Sequence, residues 1–263
     1  SGLSTPKELH SAFDRDDEID LIERTKLVHI MENPSGEIYS KDELASNKSI
    51  QDLVDEAEPK LESIESPNKH VAMKTSISND GKTMVGYSDV TLDDSLEACA
   101  SEEFLLCSRY RLKEFYENGG GVFRNFHQYN NHHQIVRSVN DIGVPGFSHR
   151  EFIFNSTWKR IDDNRIIVFY SPQSTWDPDI VDPFLPSSKL VRGTTWSIMA
   201  FEKLPAFNGV PQTKAMWWNY LSLAGSIPVK LLNSLLPSRL LTMDDVRKKF
   251  DKTLEIDGAR RSE

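Results

Sequence analysis

Arg150-Glu151-Phe152-Ile153-Phe154-Asn155-Ser156-Thr157-Trp158-Lys159 and Arg165-Ile166-Ile167-Val168-Phe169-Tyr170, with Asp162-Asp163-Asn164 between them, decide the class of this fold. Both runs are rich in β-branched and aromatic residues, which suit a pleated, partly buried backbone. The Asp-Asp-Asn cluster is turn chemistry, so the runs read as consecutive strands. Further strands are predicted over 122–128, 134–140, 189–204 and 214–223, and Val144-Pro145-Gly146 is another clear turn. Upstream, 70–78 and 83–92 alternate apolar and polar residues around a hairpin turn at Asn79-Asp80-Gly81.

Helical patterns flank these strands. Asp93 or Asp94 is placed to cap a single helix over 95–118, with Leu96, Phe104, Leu105, Tyr110, Leu112 and Phe115 inward. Gly119-Gly120-Gly121 ends it. Residues 226–251 form a second long pattern, capped by Ser226 with Pro228 in its first turn. Pro237 removes one backbone bond from it and predicts a kink. Residues 1–66 are acidic and read as helices with loops: Thr5-Pro6-Lys7-Glu8 and Ser40-Lys41-Asp42-Glu43 are capping boxes. This segment is expected to lean on the main domain at 67–256; a docking element for a partner is the alternative. Residues 257–263 read as a polar tail. Strands grouped between helices specify α+β with an antiparallel sheet.

The bulk chemistry narrows the function. The chain has 263 residues, 38% hydrophobic and 27% charged, with a net charge of -9. That balance suits a water-soluble domain and argues against a dedicated nucleic-acid binder, which needs a basic surface. Cys99 and Cys107 lie eight residues apart. In one helix they would stand about 12 Å apart, beyond the roughly 7 Å limit of a disulfide. Two free thiols fit a reducing, cytoplasmic setting. No signal peptide or membrane-length apolar run is visible, and the Ser1-Gly2 start reads as a cut from a longer protein, with further domains possible.

No Gly-x-Ser-x-Gly, P-loop or His-Glu-x-x-His motif occurs, so neither catalysis nor a cofactor is expected. His127, His132 and His133 lack the spacing of a zinc motif and read as a polar turn or strand end.

Three further segments carry a resemblance: Ser148-His149-Arg150-Glu151-Phe152-Ile153, Leu190-Val191-Arg192-Gly193, and Ala224-Gly225-Ser226-Ile227-Pro228 with Leu232-Asn233 beyond it. In this order and spacing they resemble the START family of lipid-transfer domains, over roughly residues 70–255. The wording is particularly similar to START domains of multidomain proteins from algae and oomycete-like microbes. The resemblance implies a helix-grip fold, in which a curved antiparallel sheet wraps the last helix around a tunnel for one apolar ligand. Residues 226–251 and the loop 171–188 would form the lid. The chain departs from the family pattern at Phe115-Tyr116-Glu117-Asn118, where Trp-Asp is usual, and at Glu151, where Asp is usual. The acid–arginine pair of sterol carriers has no arginine here, since Ser156 and Trp158 occupy the place.

On that reading the lining candidates are Phe152, Phe154, Val168, Tyr170, Trp196, Ile198, Trp217 and Tyr220 from strands, and Leu231, Leu232, Leu235, Leu236 and Leu240 from the helix. Ordinary core packing is the competing explanation for each. Arg150 and Arg192 are the polar candidates, able to hold a carboxylate or phosphate through forked bonds. A structural ion pair with Glu151, Asp141 or Glu202 is the alternative. Lys230 and Arg239 are expected on the outer face of the lid, towards an anionic membrane. The expected partners are a lipid (sterol, phospholipid or isoprenoid-like) and, transiently, a membrane surface. A regulatory interaction module and a helix-grip hydrolase or cyclase are the alternatives.

Overall fold

The computed structural model describes residues 6–77, 84–118, 120–143, 145–176, 190–224, 235 and 237–262. Two helices come first, α1 (Pro6–Glu32) and α2 (Lys41–Ala57), then strands β1 (Glu62–Ile64), β2 (Ala72–Ile77) and β3 (Met84–Leu92). Helices α3 (Leu96–Phe104) and α4 (Arg109–Asn118) follow. The next strands are β4 (Gly121–Gln128), β5 (His133–Asn140), β6 (Arg150–Asp162), β7 (Arg165–Pro172), β8 (Val191–Arg192), β9 (Thr194–Phe207) and β10 (Val210–Ser222). Helices α5 (Thr242–Lys249) and α6 (Thr253–Ser262) close the described chain.

The strands form one sheet in the order β1-β2-β3-β10-β9-β7-β6-β5-β4, antiparallel between every pair of neighbours, with β8 added in parallel to β6. The run Ile166–Tyr170 explains how the sheet is covered. It is apolar without alternation because both faces are buried. Ile166, Val168 and Tyr170 enter an inner core with Phe104, Leu240 and Met243, whereas Ile167 and Phe169 enter an outer core with Ile50 and Val54 of α2.

The N-terminal helices are tied to this sheet. Ser40 caps α2, accepting from Glu43 N at 3.2 Å while its own N–H donates to Glu43 at 2.6 Å. Helix α2 packs on β7 and β9, and Thr157 Oγ1 donates to the buried Asn47 Oδ1 at 2.7 Å. Helix α1 packs on α3 and α4. Its Met31 is fully buried, worth about 1.5–3 kcal/mol for a side chain of that size. Asp20 of α1 accepts from the N–H groups of Arg109 and Tyr110 at 3.1 and 2.8 Å, so one helix supplies the N-terminal cap of another.

Several expectations are corrected. The segment 95–118 is two helices, not one, broken at Leu105–Ser108. Tertiary contacts stabilise the break: Gln134 Nε2 donates to Phe104 O at 2.6 Å and Arg124 Nη1 to Leu106 O at 3.3 Å, satisfying carbonyls the helix gives up. Cys99 and Cys107 therefore sit on different segments; both are buried and unpaired with each other. Residues 62–64, read as part of a helical segment, add a strand to the sheet edge beside β2. The strand predicted over 189–204 divides at Gly193, where a Cβ would overlap the Phe152 ring. Leu241 N–H donates to Pro237 O at 3.0 Å, and a turn at Leu241 precedes α5; the expected kink at Pro237 adjoins residues 225–234 and 236, which lie outside the described residues. The expected polar tail is helical to Ser262. The hairpin turn 79–81, Gly119, Val144, most of the loop 171–188 and the helix start at 225–234 lie outside the described residues.

Candidate ligand-binding site

Register defines the inner face of the sheet row by row. One row is apolar: Trp217 of β10 stands opposite Met199 of β9, Met199 opposite Val168 of β7, and Val168 opposite Trp158 of β6. The next row is polar. Asn219, Ser197, Tyr170, Ser156 and Gln134 are cross-strand partners in succession from β10 to β5. All five are buried. Beyond them Phe154 and Val136 form an apolar pair again. A band of hydrogen-bonding groups thus crosses an otherwise apolar face.

Buried polar groups need partners. Tyr170 Oη donates to Glu103 Oε1 at 2.6 Å. Trp217 Nε1 donates to Ser197 Oγ at 2.6 Å, and that hydroxyl donates to Trp218 O at 2.8 Å. Asn219 Oδ1 accepts from Arg239 Nε at 2.8 Å. Ser156 Oγ and Ser88 Oγ are buried with no hydrogen-bond partner among the described residues. Ser88 stands opposite Trp217.

The titratable groups here are perturbed by enclosure. Burial pushes Glu103 above the usual carboxylate range, against the nearby Arg111 charge. Burial, followed by the charge of Glu103, raises the Tyr170 phenol well above its ordinary value. Burial also lifts the Cys107 thiol to about 11, which keeps it protonated and unreactive. Burial, then the neighbouring Arg124 charge, lowers Arg239 to about 10.

The sequence candidates divide across the sheet. Phe154, Val168, Tyr170 and Trp217 lie in the inner core, and Phe152 and Leu235 pack against it. Leu240 is fully buried there. Trp196 and Ile198 do not join them; they belong to the outer core under α2, with Tyr220 packed against it. Trp196 stacks on Tyr220 at 5.2 Å between centroids. The reason is strand parity: in β9 the inward set is Ser197, Met199 and Phe201, one residue out of phase with Trp196 and Ile198. Leu231, Leu232 and Leu236 lie outside the described residues.

Arg150 and Arg192 are engaged structurally. Arg150 Nε donates to Leu223 O at 2.6 Å and Nη1 to Ser148 O, tying the start of β6 to the end of β10. Arg192 Nε donates to Glu151 Oε2 at 2.9 Å, and Glu151 also takes Arg137 at 2.7 Å. Arg239, expected on the outer face of the lid, points to the sheet, with its guanidinium 5.5 Å from the Trp217 ring. His132 and His133, read as a polar turn or strand end, stand at the start of β5 and face carboxylates: His132 lies between Glu37 and Glu43, and His133 Nδ1 is 2.9 Å from Glu43.

Sequence reasoning missed the polar band and the arginines beside it. The available signal was the placement of Ser156, Ser197 and Asn219 within apolar strands, at the same parity as Phe154, Met199 and Trp217.

No protein-family model matches the sequence, and no curated protein matches it. Solved structures do. Human STARD10 is 14% identical, with a TM-score of 0.56 over 89% of this chain and 87% of its own. The human StarD13 (DLC2) lipid transfer and protein localization domain is 14% identical, with a TM-score of 0.55 over 78% of this chain and 98% of its own. Human StAR-related lipid transfer protein 5 is 15% identical, with a TM-score of 0.55 over 78% and 94%. At such identities the likeness is one of fold, and it is the likeness the motifs at residues 148–153 and 190–193 pointed to: this chain folds as a START-like domain.

Proposed function

We propose that the chain binds one lipid-like amphiphile on the inner face of its sheet and serves as a carrier or sensor of that lipid. The observation that carries the proposal is the polar band from Asn219 to Gln134, set between apolar rows. A purely structural core has little use for unpartnered hydroxyls such as those of Ser88 and Ser156, because each buried unmade bond costs about 1–3 kcal/mol. An amphiphile fits both parts of the pattern. Its chain would gain about 0.8 kcal/mol per buried CH2, and its polar end would meet the band. Phe152, Phe154, Val168, Tyr170, Trp217, Leu235 and Leu240 are the contacts proposed. The like-folded proteins named for lipid transfer support this reading.

The role proposed is binding and not catalysis. The enclosed acid, Glu103, is held by Tyr170 and Arg111 and does not stand free to transfer a proton. Among the described residues no helix is long and apolar enough to cross a membrane, and the proposal needs only transient contact with a membrane at the cytoplasmic side.

Native mass spectrometry with lipid extraction tests the proposal, on protein purified from its host and after exposure to mixed lipids. A discrete one-to-one adduct is the expected result. A folded protein that stays empty under both conditions would overturn it.

A further inference from the structure

Around Glu102, Glu103 and Glu114 the charges of α3 and α4 pair off. Arg24 meets Glu102 at 3.9 Å, Arg111 meets Glu103 and Glu114 at 3.7 Å each, and Lys249 meets Glu102 at 3.8 Å and also Glu114. Three cations thus balance three carboxylates. Arg124 and Arg239 remain, and among the described residues neither has a carboxylate in contact.

Each of the two is positioned but incompletely bonded. The Arg124 guanidinium stacks 3.7 Å from the Phe115 ring centroid, its Nη1 reaches Leu106 O, and its Nε is buried with no acceptor among the described residues. Arg239 is fixed by Asn219 through Nε and by the Trp217 ring, which leaves both Nη groups without an acceptor among the described residues. The Arg239 side chain is exposed, while Leu235 and Leu240 of the same segment pack into the inner core. The two charges are near enough that Arg124 adds to burial in lowering Arg239.

Two like charges set beside an apolar face, with open donors and no carboxylate partner, are costly unless an anion joins them. Planar guanidinium groups suit the paired oxygens of a carboxylate or phosphate. We infer that Arg239 and Arg124 together receive the anionic head group, a carboxylate or a phosphate, of the amphiphile on the inner face. The inference rests on the lipid-binding reading above and adds the charge of the ligand to it. The polar band beginning at Asn219 then accommodates uncharged polar atoms next to the head group.

The test uses matched probes on the full chain: oleic acid against oleyl alcohol, and dodecyl phosphate against dodecanol, with inorganic phosphate as a further arm. Binding is followed by native mass spectrometry and tryptophan fluorescence. Each anion is expected to bind roughly tenfold or more tightly than its alcohol, and Arg239→Met should erase that difference. The unliganded Arg239→Met protein should melt no lower than the parent, because it loses a charge that no described carboxylate balances. Equal binding of anion and alcohol would overturn the head-group assignment and leave the lipid reading standing. Failure of all four amphiphiles would overturn both. Inorganic phosphate binding as tightly as dodecyl phosphate would assign the arginines to a free anion and overturn the head-group assignment alone.

Discussion

Trp217 and Trp218 are consecutive in β10 and belong to different cores. Trp217 shares the inner core with Phe154, Tyr170 and Leu240; Trp218 shares the outer core with Ile50, Val54 and Tyr87, whose ring centroid is 5.0 Å away. Trp217→Phe and Trp218→Phe should each lower stability by about 1–3 kcal/mol, measured by urea unfolding. Only Trp217→Phe should weaken lipid binding. A matching loss of affinity in Trp218→Phe would show that the two faces are not functionally separate.

Glu151 is buried and accepts from both Arg137 and Arg192. Removing its charge leaves two guanidinium groups without their partner, although Arg192 reaches solvent and softens the loss. Glu151→Gln is expected to cost about 2 kcal/mol in a denaturation experiment. Lipid affinity should stay at the parent value, since Arg192 is already occupied. A fall in affinity with unchanged stability would return Arg192 to the site.

Glu43 joins α2 to the sheet through His132 and His133. Burial alone would raise this carboxyl, but the Ser40 backbone and hydroxyl bonds, with the two histidines, hold it below the ordinary range. A depressed carboxylate contributes stability that is present above its unfolded value, near about 4.3, and is lost as pH falls through its folded value. Glu43→Gln retains a capping side chain while deleting the charge. The variant should be less stable at neutral pH, by about 1 kcal/mol, and its stability should fall less steeply below about pH 4.5. Parallel acid-unfolding curves for parent and variant would reject the role of the charge.

Met31 is the fully buried anchor of α1 beneath α3 and the inner core. Met31→Ala should cost about 2–5 kcal/mol. Hydrogen exchange should quicken first in α1 and in the first turn of α4, whose N–H groups are capped by Asp20. A variant with parent-like exchange in α1 would mean that the helix is held elsewhere.

The local chemistry written in the chain determined the element order. Alternation, Asp-Asp-Asn turn residues and capping boxes are short-range signals, and β3, β6, β7 and α2 formed where those signals stood. The antiparallel class followed, because strands grouped in sequence pair with their neighbours. Three matters needed tertiary structure. The break between α3 and α4 depends on Gln134 and Arg124, partners far along the chain that satisfy the carbonyls released there. The inward set of each strand was hidden because both faces of the sheet are buried, so Trp196, Ile198 and Tyr220 look as eligible in sequence as Phe154 and Trp217. The pairing of charges was hidden too: Arg150 and Arg192 are satisfied by Leu223, Ser148 and Glu151, while Arg124 is held by Phe115 and Leu106 O and Arg239 by Trp217 and Asn219. Periodicity records whether a residue is buried in its own element, but only the docking of distant elements decides which face it joins and which charge it meets.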